Sequence, residues 1–152
     1  MKIINFLNKL KKEKRFILAK PNQEVIGLYI KTSKSDLVFS KASPNINCFE
    51  ELIFFAYYSQ YNLLQSLLFK TVIKSENPSA LAILFEKRFN LDNLFILFAK
   101  KGRIGKQYYV DFRITKKQVI DFIKNIEGFN RGLYYFIFRL ANKKIKPYIV
   151  NL

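Results

Sequence analysis

The sequence predicts a single α+β domain in which antiparallel sheet hairpins pack with helices. Three observations predict it. Half of the 152 residues are hydrophobic, enough to build one real core. Segment 107–114, Q-Y-Y-V-D-F-R-I, alternates strictly, with Tyr108, Val110, Phe112 and Ile114 on one face. Directly after it Thr115 and Gln118 form a capping box, and the pattern switches to helical spacing.

Taken in order, the chain opens with an amphipathic pattern over 2–15. Ile3, Phe6, Leu7 and Leu10 share one side, and Lys9, Lys11, Lys12 and Lys14 lie elsewhere. Segments 25–31 and 36–40, V-I-G-L-Y-I-K and D-L-V-F-S, predict two strands joined through T-S-K-S as a hairpin. Asn47 with Glu50 caps a helix, or helix pair, running to about residue 74. That stretch is apolar nearly all round, which predicts burial on several sides, a neighbouring protein being one candidate cover. Asn77-Pro78 opens a helix through Phe89. The apolar run 94–99 predicts a buried strand, paired through K-K-G-R-I-G-K with 107–114 as a second hairpin. A helix with Val119, Phe122, Ile123 and Ile126 on one face then ends at Gly128. Segments 133–140 and 147–150 complete the predicted sheet, the latter at an edge because of Pro147. Residues 1–20 read as a basic N-terminal helix and extension, and 21–152 as the α+β RNA-binding domain.

Charge narrows the function classes. Twenty-seven Lys and Arg stand against 11 Asp and Glu, a formal net charge of +16. Such an imbalance calls for an anionic partner, most commonly nucleic acid and next an anionic membrane surface. There is no histidine, so His triads, zinc fingers and His-dependent nucleases are excluded. The single Cys48 makes no internal disulfide. The abundance of Lys, Asn, Ile and Phe, all with AT-rich codons, points to an AT-rich genome. No membrane span is expected: the best stretch, 51–69, carries Glu51, Gln60, Asn62 and Gln65.

Segment 130–138, N-R-G-L-Y-Y-F-I-F, imitates the RNA-binding strand of an RNA-recognition motif, with Arg131, Gly132, Tyr135 and Phe138 suitably placed. The predicted order of elements around it is wrong for that fold, and Tyr134 stands where Gly or Ala is needed. The segment is therefore expected to be a packed strand covered on both faces, making no base stacks.

The expected RNA contacts lie in three basic blocks. Lys9, Lys11, Lys12, Lys14 and Arg15 form the first. Lys100, Lys101, Arg103 and Lys106 surround two glycines at a hairpin tip, with Tyr108 following, where phosphate contact and stacking can combine. Arg139, Lys143, Lys144 and Lys146 form the third, with Arg131 added from the aromatic segment. The carboxylates assemble into no catalytic or metal site: Glu50 and Glu51 suit a helix N-terminus, and Asp111 pairs with Arg113. The G-R-I-G stretch lacks the strand-to-helix context of a phosphate loop, and no cofactor is expected.

In general character (small, very basic, without His or Trp, with basic termini and a basic tip) the chain resembles an organelle-encoded ribosomal protein. The resemblance implies a non-catalytic structural constituent that binds rRNA. The chain departs from it in its high hydrophobic fraction, which suggests that the 49–74 helix also packs against a neighbouring protein. It implies a location in the mitochondrial matrix, in another organelle, or in the cytoplasm of an AT-rich bacterium. Two rivals stay open: a DNA-binding protein or nuclease of a phage or mobile element, and an accessory subunit of a respiratory membrane complex.

Overall fold

A computed structural model describes residues 2–14, 16–18, 22–42, 48–70, 73–75 and 115–140. In chain order they form helix α1 (Lys2–Lys12), strand β1 (Phe16–Leu18), helices α2 (Gln23–Lys41) and α3 (Phe49–Lys70), strand β2 (Ile73–Ser75) and helix α4 (Lys116–Arg139). The predicted α+β class is overturned: the described chain is helical, and none of the predicted hairpins occurs in it. Its one ladder is three residues long, antiparallel, and pairs Phe16 with Ser75 and Leu18 with Ile73.

The two predicted strands 25–31 and 36–40 are one helix, α2. Asn22 caps it, its Oδ1 accepting from the backbone N–H of Glu24 at 2.9 Å and of Val25 at 3.2 Å. The supposed turn T-S-K-S is mid-helix. Ile26, Ser33 and Ser40 recur every seventh residue on the buried face, and two of the three are polar, which hides the helical period.

The predicted strand 133–140 is the last part of α4. Among the described residues no glycine has a positive φ, so Gly128 is an ordinary helical residue rather than a stop. Beyond it Asn130, Leu133 and Ile137 continue the buried row begun by Val119, Ile123 and Ile126, in steps of four and three. The capping box is present as expected: Thr115 Oγ1 accepts from Gln118 N at 3.2 Å, and Thr115 N donates to Gln118 Oε1 at 2.9 Å. The predicted strands 94–99, 107–114 and 147–150, and the helix after Asn77-Pro78, lie outside the described residues.

Contacts set the helix directions. Tyr29 meets Phe69 while Phe39 meets Phe55, so α2 and α3 run antiparallel. Asn130 meets Ser59 while Lys70 reaches Ile137, so α3 and α4 run parallel. The core between α3 and α4 is built from Leu52, Ile53, Ala56 and Tyr57 against Val119, Phe122, Ile123 and Ile126. Residues 63–68 of α3 are all buried within this chain, while Phe49, Phe54, Phe55, Tyr58 and Tyr61 are half-buried. No helix among the described residues is long and apolar enough to cross a membrane.

Polar groups fix the register of the three helices. Ser33 and Ser59 are buried, and each hydroxyl donates to the other's backbone carbonyl, at 2.6 and 2.7 Å. Both hydroxyl protons are thereby used. Ser59 Oγ can then only accept, and it takes a hydrogen bond from Asn130 Nδ2 at 2.8 Å. At the far end Lys70 Nζ donates to the Ile137 carbonyl at 2.9 Å, satisfying one of the last carbonyls of α4.

Candidate nucleic-acid interface

Helix α4 presents two unlike faces because its apolar residues follow one stripe. Opposite the buried row, Lys117, Lys124, Gly128, Arg131, Tyr135 and Phe138 follow steps of seven, four, three, four and three, and all are exposed. Tyr135 is 58% and Phe138 75% exposed, the latter the most exposed large hydrophobic side chain among the described residues. The Arg139 guanidinium lies 5.8 Å from the Tyr135 ring centroid, and the rings of Tyr134 and Phe138 are 5.7 Å apart. Gly128 and Gly132 leave open space, for a Cβ built on either would meet nothing within 4 Å. On this outer face Asp121 is the one exposed carboxylate among the described residues, set against Lys117, Lys124, Arg131 and Arg139.

Between α4 and α2 runs an open groove of about 220 Å³, with Leu37 and Leu63 in its lining and Lys34, Glu127, Arg131 and Tyr134 around it. Lys34 Nζ sits 4.6 Å from the Tyr134 ring centroid and 3.4 Å from its hydroxyl. Glu127 is held by Lys41 at 2.6 Å, an ion pair that ties α4 to α2. Ser33 also lines this groove, but its proton is committed to the Ser59 carbonyl, and the carboxylate in the groove's lining, Glu127, is ion-paired with Lys41. Among the described residues no three His, Cys, Asp or Glu come together as a metal site. Asp36 is half-buried at the α2–α3 interface. Burial raises its carboxyl above the ordinary aspartate value, and a hydrogen bond from Asn62 Nδ2 at 3.0 Å partly offsets this.

Of the residues the sequence nominated for RNA contact, Lys9, Lys11, Lys12 and Lys14 are exposed on or just after α1, and Arg131 is exposed on α4. Lys14 sits in the left-handed region at φ 55, which turns the chain at the end of α1. Arg15, Lys100, Lys101, Arg103, Lys106, Tyr108, Lys143, Lys144 and Lys146 lie outside the described residues. On this outer face of α4 the sequence nominated neither Lys117 nor Lys124, and Tyr135 and Phe138 were expected in a packed strand. Their signal is present as a helical stripe of period three and four, but reading Gly128 as a helix stop obscures it.

No protein-family model matches the chain, and a search of curated proteins finds no match.

Proposed function

We propose that this chain is an RNA-binding structural subunit of a ribonucleoprotein assembly, a ribosome of an AT-rich organellar genome being the assembly expected. One observation carries the reading: in a chain of net charge +16, Lys117, Lys124, Arg131 and Arg139 are exposed on the outer face of α4, against one exposed carboxylate there, Asp121. A face of this kind gains by releasing the counterions condensed on a nucleic-acid backbone. The composition suits an AT-rich genome, so the location proposed is the mitochondrial matrix, another organelle or the cytoplasm of an AT-rich bacterium.

The test is fluorescence anisotropy of a labelled mixed-sequence RNA titrated with the purified chain at two salt concentrations. Affinity should fall by about a hundredfold or more between about 50 and about 200 mM salt if several phosphates are contacted. Absence of binding at the lower salt, or affinity that ignores salt, overturns the reading.

A further inference from the structure

We infer that the C-terminal half of α4 is a stacking platform for unpaired RNA bases, with Tyr135 and Phe138 as the rings. The platform rests on the RNA-binding reading and names the form of nucleic acid it takes.

Large aromatic side chains do not ordinarily stand this open on a helix whose opposite face is fully packed, and here there are two, one helical step apart. Residues three apart on a helix have Cβ atoms roughly 5–6 Å apart, within reach of neighbouring nucleotides on an extended strand. Cations frame the rings. Arg131 lies four residues before Tyr135, and Arg139 lies four after it, over its ring at 5.8 Å. Lys124 and Lys117 extend the positive track toward the start of the helix. Gly128 and Gly132 keep the surface beside the rings free of side chains, so a sugar-phosphate backbone can lie close to the helix.

Single-stranded nucleic acid is bound by this pairing of stacking rings with a cationic track. A duplex cannot use the rings, because its bases are already stacked inside, and can engage only the cations. A protein partner fits less well. The apolar area is two rings wide, and covering it would desolvate Arg131 and Arg139.

The experiment compares a single-stranded RNA with a hairpin duplex of matched length and charge, binding to the wild-type chain and to the Tyr135→Leu/Phe138→Leu variant at one salt concentration. Leucine keeps the helix and removes the π-face. The double variant should lose about tenfold or more in single-strand affinity while its duplex affinity stays within about twofold. Phe138→Leu alone, at the more exposed position, serves if circular dichroism shows the double variant to be unfolded, and should give a smaller loss of the same kind. Equal affinities of wild type and variant for the single strand overturn the platform and leave RNA binding standing. No RNA affinity in the wild type overturns both. Loss of binding to phosphatidylserine vesicles in the variant, with RNA binding unchanged, assigns the rings to a membrane surface and also overturns the platform.

Discussion

Ser33 and Ser59 are joined by reciprocal hydrogen bonds, each hydroxyl donating to the other residue's backbone carbonyl across the α2–α3 interface. The exchange also makes Ser59 Oγ a pure acceptor, which fixes how Asn130 must present its amide from α4. Ser59→Ala therefore removes its own bond, strands a buried Asn130 donor and loosens two interfaces together. It should cost about 1–3 kcal/mol, and Ser33→Ala, which leaves the Asn130 bond intact, should cost less. The two changes combined should fall short of the sum, since they share one network. Urea midpoints of the three variants measure this, and strict additivity would show that the serines act independently.

Gly128→Ala and Gly132→Ala should each stabilise the chain by about 0.5–1 kcal/mol, because both glycines lie in a helix interior with negative φ and open space at the Cβ position. The sequence alone predicts the reverse at Gly128, where a helix-ending glycine would resist a Cβ. Denaturant midpoints decide between the two, and destabilisation at both sites would contradict a continuous α4.

Asp36 should make stability depend on acid. Burial raises its folded-state carboxyl above the ordinary aspartate value, so the folded chain holds the proton more tightly than the unfolded one. The sign follows from linkage: stability is greatest below the unfolded value and falls as pH rises through the raised folded value. Asp36→Asn, which can still accept from Asn62, should be more stable than wild type at pH 7. That advantage should shrink as pH drops toward the unfolded aspartate value. Thermal melts over that range test it, and an advantage independent of pH would assign the effect to something other than ionisation.

Particular residues show how far the sequence could be read. The capping box at Thr115 and Gln118, the helix α1 and the apolar α3 were all readable, because the local chemistry points to helix there. Helix α2 was not. Its β-branched and aromatic residues favour strands, and its inward positions at Ser33 and Ser40 look like turn chemistry until a partner is in view. The bond that justifies Ser33 comes from Ser59, 26 residues away, and no local pattern contains it. Likewise Tyr135 and Phe138 read as a buried strand. Only the continuation of the α4 register past Gly128 turns them outward.

If the cationic outer face of α4 meets the RNA backbone, the salt dependence of RNA affinity must report it. The decisive comparison is between wild type and the variant Lys117→Gln, Lys124→Gln, Arg131→Gln, Arg139→Gln, whose four positions are all exposed and leave the core intact. The slope of log affinity against log salt should become shallower in the variant, by about 0.7 for each single-strand phosphate that is no longer neutralised. An identical slope in the two proteins would contradict a phosphate-binding role for this face.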